Sequence, residues 1–379
     1  MIINYIDNKQ FNFQINRFME SHQKNQLVQE ELFSACQDIA NTEDWYKQWF
    51  MLGQKHVRQQ HYAIAASFFQ MADFFLREND YRKNETYTLF IQNYYKGIDT
   101  SNMTFSHISY ENRSLTSVLI KNSNATKTLL FHGGFDSYLE ELIQFIENQK
   151  LLENLPTYNF ILFEGPGQGK ALKDGLPMIY NWEKPVKVVL DYYKLAKVDL
   201  LGMSLGGYLS LRAAAYEPRI KKVIAYDVMY DMFSALFITL PELTRYFDPY
   251  DKEVSYSNMA TINTLIKKSM RENNHIAFLI NKCMDITLTS SPAECLITCS
   301  DFTLKNVLKE VKQEVLLLAG TQDIYVPVET IGQEQRELIN AKSIVTKLFT
   351  EKSGGSGHCQ IGYKYMAAQI IAEFLNNKL

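Results

Sequence analysis

The pentapeptide Gly202-Met203-Ser204-Leu205-Gly206 holds a serine in a setting that could make it chemically reactive. A short, mostly apolar run, 198–201, precedes it, and a segment rich in Leu and Ala, 208–216, follows it. A Gly-x-Ser-x-Gly motif between a strand and a helix is typical of a nucleophile elbow. In this sharp turn, small flanking residues let the serine hydroxyl stand clear of the sheet. The pattern predicts that Ser204 is a nucleophile.

A serine hydroxyl is a poor nucleophile at neutral pH and needs an imidazole as base, itself oriented by a carboxylate. Behind an elbow of this type the partners follow along the chain as Asp or Glu, and then His. Asp323 lies just past the apolar run 315–319, where parallel sheets gather their catalytic groups. His358 follows the glycine-rich loop 353–357 near the end of the chain. We therefore expect Ser204, Asp323 and His358 to form a catalytic triad.

A His-Gly-Gly sequence follows the apolar run 128–131 and could stabilise the oxyanion of such a reaction. A loop at this place normally supplies one backbone N–H, and the residue after the nucleophile, Leu205, supplies the other. The loop amide could be that of Gly134 or that of Phe135. We expect His132 to anchor the loop rather than to act as a second base.

The glycine-rich stretch 165–170 fits neither of the common nucleotide-binding loops. A Walker loop ending here needs glycine at 164 and Ser or Thr at 171, where the chain has Glu164 and Ala171. A dinucleotide motif needs glycine at 170, which is Lys170. We expect instead a tight turn that follows the strand 159–163 and lines the site, and no cofactor.

The composition is that of a globular enzyme. The 379 residues are 46% hydrophobic and 13% aromatic, with a net charge of −3 that gives no electrostatic case for nucleic acid binding. Five cysteines without a C-x-x-C pair indicate neither a disulfide framework nor a metal site. The N-terminal residues lack the pattern of a signal peptide, and apolar runs are too short to span a membrane. A cytoplasmic protein with no membrane partner is expected.

The chain shows two different secondary-structure patterns, one in its N-terminal part and one in the rest. Residues 14–95 contain a single glycine and apolar residues at helical spacing, which predict four or five helices in an N-terminal domain, 1–100. From about residue 103, short strands alternate with helices, which indicates a mostly parallel sheet covered on both faces. The strands are expected at 116–121, 128–131, 159–163, 198–201, 222–226, 314–319 and 344–349. We assign the core to 101–227 and 301–379, with a helical cap insertion at 228–300.

In these residues and their order, the chain resembles the α/β-hydrolases that carry a helical N-terminal domain. The group is typified by 2,6-dihydroxypseudooxynicotine hydrolase, with fungal polyketide-shortening hydrolases and FrsA-like proteins as relatives. The likeness rests on the stretches 131–141, 163–169, 181–186, 202–207 and 320–327, and on the tryptophan-containing helices within 44–77. It implies an α/β-hydrolase fold with a helical N-terminal domain and a helical cap, and carries the triad over to Ser204, Asp323 and His358.

The resemblance also implies an activity: hydrolysis of a carbon–carbon bond next to a ketone by a retro-Claisen route, on a β-diketone, aryl ketone or polyketide-like substrate. A carboxylesterase or thioesterase with the same triad is the alternative, and a regulatory binding protein on a hydrolase scaffold is the third. Nicotine-pathway members use a further carboxylate after the strand that follows the elbow helix. Asp227 and Asp231 are the candidates here, each with the simpler alternative of a helix cap or a cap-domain hydrogen bond. A small apolar or aromatic substrate and a homodimer complete the expectation.

Overall fold

The computed structural model describes residues 2–379, which form two compact units. The first ends at Asn102 and the second is Met103–Leu379. The helices are α1 Lys9–Phe18, α2 Gln26–Cys36, α3 Thr42–Arg58, α4 Tyr62–Phe74, α5 Lys83–Gly97, α6 Leu139–Asn148, α7 Leu151–Asn154, α8 Gly169–Lys173, α9 Glu183–Tyr192, α10 Gly206–Tyr216, α11 Ser234–Thr239, α12 Lys252–Ser257, α13 Met259–Glu272, α14 Asn274–Thr287, α15 Pro292–Cys299, α16 Thr330–Glu337 and α17 Lys364–Leu375. The strands are β1 Met103–Tyr110, β2 Arg113–Ile120, β3 Lys127–His132, β4 Tyr158–Phe163, β5 Val198–Met203, β6 Ile220–Tyr226, β7 Glu314–Gly320 and β8 Ser343–Phe349.

The first unit contains the five helices α1–α5, and its aromatic residues form its interior. Trp45 and Trp49 of α3 are fully buried and meet edge to face, with ring centroids 5.4 Å apart. The Trp45 indole N–H donates to the carbonyl oxygen of Met71 at 2.6 Å. A buried ion pair, Lys83 with Asp73 at 2.8 Å, ties α5 to α4. The tryptophans of the segment 44–77 therefore pack in the interior of this unit.

The second unit is built on one eight-stranded sheet of order β1-β2-β4-β3-β5-β6-β7-β8. Strands β3 to β8 pair in parallel, and β2 pairs antiparallel with both β1 and β4. The central strands are buried along almost their whole length, as expected for parallel strands covered by helices on both faces. The sheet therefore presents the carboxyl ends of β5, β6 and β7 side by side.

Strand β1 lies outside the strands expected from the sequence. It forms an edge hairpin with β2 whose turn residues, Glu111 and Asn112, both have positive φ, at 44° and 60°. Two such residues are typical of a type I′ turn, which sequences usually mark with Asn-Gly or Asp-Gly. That mark is absent here, and most of β1 is exposed or half-buried, so its apolar pattern is weak.

Five helices, α11 to α15, lie between β6 and β7. Helices α13, α14 and α15 pack on one another around a separate apolar cluster that includes Phe233, Leu243, Ile262, Ile266 and Leu296. This segment therefore has a core of its own. Among residues 2–379, no helix is both long enough and apolar enough to cross a membrane.

Candidate active site

Ser204 sits in a strained turn between β5 and α10. Its φ is +62°, a left-handed conformation that costs a non-glycine residue free energy. Its N–H donates to the carbonyl oxygen of Tyr226, which holds the turn against β6. A Cβ added at Gly202 would overlap the Gly206 backbone, and one added at Gly206 would stand 2.8 Å from the carbonyl oxygen of Gly133. Both glycines of the motif are therefore required by close packing.

The three residues expected to form the triad come together at one edge of the sheet. Ser204 Oγ lies 2.8 Å from His358 Nε2, and His358 Nδ1 lies 2.7 Å from Asp323 Oδ2. The other oxygen of Asp323 accepts the N–H groups of Tyr325 and Val326, at 2.8 and 2.9 Å. These bonds fix the carboxylate in the turn after β7. With Nδ1 donating to Asp323, Nε2 is left to accept the proton of the serine hydroxyl.

A second carboxylate also reaches His358. Asp227 directly follows β6, and its Oδ2 lies 3.1 Å from His358 Nδ1. The same oxygen accepts the N–H of Cys359 at 2.8 Å, and Oδ1 accepts from the Gln360 side chain at 3.4 Å. The side chains of Asp227 and Asp323 are 1% and 2% exposed. Two buried carboxylates thus converge on one imidazole nitrogen.

This arrangement determines the charge state of the site. Burial disfavours the imidazolium, but the carboxylates of Asp323 and Asp227 outweigh it and raise the pKa of His358 well above its ordinary value. Burial raises the pKa of Asp323, while the bond from His358 lowers the pKa of Asp227 in spite of its burial. Burial also raises the pKa of the adjacent Cys359 thiol to about 11, which keeps that thiol neutral. The imidazole and the two carboxyl groups titrate as one unit.

The loop after β3 lies directly against the elbow. A Cβ added at Gly134 would stand 2.6 Å from the backbone nitrogen of Leu205 and 2.8 Å from the carbonyl oxygen of Met203. Leu205 is the N-cap of α10, where backbone N–H groups have no partner within the helix. Phe135 is half-buried and follows in the same loop. The three amides expected at an oxyanion hole are therefore close to Ser204 in the fold.

Two buried residues of the loop after β4 support the Gly134 loop. Neither was identified as a site residue from the sequence. The Gln168 side chain donates to the carbonyl oxygen of Gly134 at 2.9 Å and accepts the N–H of Gly165 at 2.9 Å. The Glu164 carboxylate accepts the N–H groups of Leu139 and Lys170, at 2.9 and 3.0 Å. The only signal in the sequence was polar residues within a glycine-rich turn after a buried strand. The stretch 165–170 thus supports the Gly134 loop.

His132 is positioned behind the site and not in it. It is fully buried against the rings of Phe163 and Trp182, with centroids 5.5 and 5.3 Å away. Its Nδ1 bonds to the carbonyl oxygen of Gly133 at 2.9 Å. Burial lowers the pKa of His132 to about 4, so the ring is neutral and Nδ1 donates. These contacts give the ring an anchoring position at the base of the loop.

Asp231 lies at the start of α11. Its carboxylate accepts the N–H groups of Phe233 and Ser234, at 3.1 and 2.7 Å, and the hydroxyl of Ser234 at 2.8 Å. Burial raises the pKa of Asp231. The structure therefore places Asp231 as a cap of this turn, whereas it places Asp227 on the imidazole.

Side chains of the inserted helices border the site. The His275 ring on α14 contacts Tyr325, whose ring in turn meets the His358 ring, with centroid distances of 5.4 and 4.9 Å. Phe135, Met232 and Met284 pack against a group of buried thiols from α14 and α15. The thiols are those of Cys283, Cys295 and Cys299, whose sulfur atoms lie within 4.8 Å of one another. An aromatic ring thus packs on His358, and apolar side chains pack on the inserted helices.

The clustering of these three cysteines could not be predicted from the sequence. Cys295 and Cys299 lie one helical turn apart on α15, and only the packing of α14 brings Cys283 to them. Spacing along the chain does not indicate such a contact.

Comparison with curated proteins finds fungal hydrolases. The hydrolyase poxO of Penicillium oxalicum is 28% identical over 280 residues, which make up 65% of this chain and 64% of the relative. The hydrolase acrC of Aspergillus aculeatus is 30% identical over 53% of this chain and 57% of its own length. The chain thus spans less than two thirds of either relative. The alpha/beta hydrolase psoB of Aspergillus fumigatus is 26% identical over 84% of this chain and 78% of its own. No protein-family model matches the chain.

Comparison with solved structures gives likenesses over nearly the whole chain. The 2,6-dihydroxy-pseudo-oxynicotine hydrolase superposes with a TM-score of 0.64 at 17% identity, covering 95% of this chain and 94% of its own. AbyA5 superposes with a TM-score of 0.68 at 16% identity, covering 96% and 94%. Together with the sheet order, these likenesses confirm the expected fold class, a mostly parallel sheet with helices on both faces and a helical N-terminal region.

Proposed function

We propose that this chain, an α/β-hydrolase related to the fungal hydrolases, is a serine hydrolase that cleaves a carbon–carbon bond next to a ketone. Ser204 is the nucleophile, His358 the base, and Asp323 the carboxylate that orients it. The observation that carries the proposal is the unbroken chain of hydrogen bonds from Ser204 Oγ through both nitrogens of His358 to Asp323. Such a chain gives a serine hydroxyl the base that it needs.

The proposed reaction begins when Ser204 Oγ attacks the ketone carbon and its proton passes to His358 Nε2. The carbonyl electron pair moves to oxygen, where the N–H of Leu205 and that of Gly134 or Phe135 stabilise the oxyanion. Collapse of this intermediate breaks the carbon–carbon bond. The electron pair leaves as an enolate, which the His358 imidazolium protonates at carbon. Water then hydrolyses the acyl-Ser204, with His358 again as base, and releases a carboxylic acid.

The proposed substrate is a small apolar or aromatic β-diketone, aryl ketone or polyketide-like molecule. Tyr325 supports this choice because its ring packs on the ring of His358, and Phe135 supports it because it is an aromatic residue of the loop against the elbow that packs on the inserted helices. We propose α11 to α15 as the cap that selects the substrate, since α14 reaches the triad through His275 and Tyr325. The retro-Claisen class itself rests on the motifs that this chain shares with the group it resembles.

Hydrolysis of a carboxylic ester or thioester is the second candidate. One observation favours it: the carboxylates of Asp227 and Asp231 are bound to His358 Nδ1 and to the first turn of α11. In these positions neither adds an acid on the Nε2 side of His358, where the enolate would leave. An alkoxide or thiolate leaving group needs only the proton that His358 carries.

The proposal extends to the setting of the enzyme. The triad supplies nucleophile, base and carboxylate from the chain itself, so the proposed reaction needs neither a cofactor nor a metal. We propose a cytoplasmic enzyme that acts on a small molecule, with no nucleic acid or membrane as partner. The homodimer stays a prediction.

Product analysis with matched substrates tests the reaction class. Purified protein is incubated with an aryl β-diketone and with an aryl ester, and the products are identified by mass spectrometry. We expect one carboxylic acid and one ketone from the diketone, and no turnover of either substrate by Ser204→Ala. Turnover of the ester alone would replace the proposal with the esterase alternative.

Asp231→Asn asks whether that residue takes part. Because Asp231 caps a turn in the structure, we expect equal and small losses on both substrates. A loss of about 100-fold, or about 2.7 kcal/mol, on the diketone alone would instead assign it the role of an added acid.

A further inference from the structure

We infer that Asp227 is a second carboxylate partner of the catalytic histidine, a positioning residue that shares with Asp323 the orientation of His358 and the stabilisation of its protonated form. The inference rests on the proposed function, since it concerns the base of that reaction. It differs from the role of an added acid for the substrate, because Asp227 approaches the imidazole at Nδ1, on the side away from Ser204.

The two carboxylates are held independently. Asp323 is fixed by the N–H groups of the turn after β7, whereas Asp227 follows β6 and is fixed by the N–H of Cys359. The latter bond also holds the residue next to His358, so Asp227 positions the imidazole through the backbone as well as through its ring. One N–H cannot point straight at two acceptors, and the distances of 2.7 and 3.1 Å describe a shared bond in which Asp323 is the nearer partner.

Asp227 also adds to the negative charge beside His358. The groups that face His358 are the carboxylates of Asp323 and Asp227, the hydroxyl of Ser204, the neutral thiol of Cys359 and the ring of Tyr325. Among these groups, the carboxylates are the ones that bring negative charge to the imidazole. Two buried carboxylates cannot both stay ionised cheaply without a cation, so the imidazole retains its proton to a pH above the ordinary histidine value.

The two carboxylates also set the pH dependence of the reaction at Ser204. The base must be unprotonated to accept the serine proton, so reaction at Ser204 rises with pH through the pKa of this unit. A plot of rate against pH therefore has an acidic limb, the range over which the rate rises with pH. Because both carboxylates raise the pKa of His358, the midpoint of this limb lies above the ordinary histidine pKa of 6.5. Removal of the Asp227 charge lowers the pKa of His358 and moves the limb to lower pH. It also weakens stabilisation of the imidazolium, so the rate on the plateau falls.

The experiment compares wild type, Asp227→Asn, Asp323→Asn and the double variant. The measurement is the rate at which a fluorophosphonate modifies Ser204, followed over about pH 5–10, together with kcat/KM for an activated aryl ester. The fluorophosphonate needs no knowledge of the natural substrate. Asparagine at 227 keeps an oxygen that can accept the Cys359 N–H, so the variant removes charge and preserves that contact. Asp199→Asn is the control, since Asp199 is a buried carboxylate that bonds Tyr158 and Lys222.

We expect Asp227→Asn to move the acidic limb down by at least about half a pH unit and to lower the plateau about 10-fold. Asp323→Asn should lose about 100-fold, because Asp227 still holds Nδ1, whereas loss of the only carboxylate of a triad costs about 10⁴-fold. The double variant should show that full loss, more than the product of the single losses. Asp199→Asn should leave the limb in place.

The inference is overturned if Asp227→Asn keeps the wild-type limb and Asp323→Asn is already as slow as the double variant. Asp227 would then serve only to hold the Cys359 backbone. Should Asp227→Asn fail to fold, as judged by circular dichroism, Asp227→Ser is measured in the same way. The proposed function has a separate test. If a fluorophosphonate modifies Ser204→Ala as fast as it modifies wild type, Ser204 is not the nucleophile, whatever the Asp227 variants show.

Discussion

Substitution of Gly134 by alanine tests whether the loop after β3 forms part of the oxyanion hole. The added Cβ would stand 2.6 Å from Leu205 N, 2.8 Å from Met203 O and 2.9 Å from Gly206 N. All three atoms are backbone, so neither a rotamer change nor a flexible side chain relieves the overlap. Ordinary contacts of this kind need about 3.4 Å or more, so the loop and the elbow must separate by roughly 0.5–0.8 Å.

A separation of that size weakens the hydrogen bonds to the oxyanion. A donor placed at about 2.9 Å would move to about 3.5 Å, near the limit at which a hydrogen bond still forms. Loss of one oxyanion donor typically costs 10²- to 10³-fold in kcat, about 2.7–4 kcal/mol. We therefore expect Gly134→Ala to lower kcat at least about 100-fold, while KM changes little because the loss falls on the transition state.

The assay is steady-state hydrolysis of an aryl ester by Gly134→Ala, with the thermal unfolding midpoint measured alongside. Gly332→Ala is the matched control. Its added Cβ would meet only the end of the flexible Arg336 side chain, at 3.3 Å, within α16. The control should keep its activity. Near wild-type kcat for Gly134→Ala would refute the assignment of this loop to the oxyanion hole.

Two further substitutions test the supports of the site and of the first unit. Gln168→Ala removes the hydrogen bond to the Gly134 carbonyl oxygen, and we expect kcat/KM to fall about 10-fold, which is about 1.4 kcal/mol. Gln369→Ala, at an exposed position, is the control and should leave kcat/KM unchanged. Lys83→Met leaves the fully buried Asp73 carboxylate without its ammonium partner. It should lower the free energy of unfolding by about 3–5 kcal/mol in urea denaturation, and a change below about 1 kcal/mol would contradict a structural ion pair.

The parts of the fold with strong local patterns could be read from the sequence. Strands β3, β4, β6 and β7 each contain a run of three or more apolar residues, and the elbow motif marks the turn from β5 to α10. Strand β1 could not be read, because it is a mostly exposed edge strand whose turn lacks the usual Asn-Gly signal.

Some contacts of the candidate site could likewise be predicted from the sequence, and others could not. The contacts that join Ser204, His358 and Asp323 could be predicted because each residue follows a strand in a set order along the chain. The contact of Asp227 with His358 depends on side-chain direction at the end of β6, and the support from Gln168 depends on how two loops pack. Neither depends on a spacing along the chain, and a single sequence does not display such contacts.

The most direct test of the proposed function is a search for the acyl-enzyme itself. The protein is mixed with an aryl β-diketone, the reaction is quenched with acid within the first turnovers, and the digested peptides are analysed by mass spectrometry. We expect an acyl group on the peptide that contains Ser204, formed before product release, and no acyl group on that peptide in Ser204→Ala. Cleavage of the diketone without an acyl group on Ser204, or continued cleavage by Ser204→Ala, would contradict the proposed function.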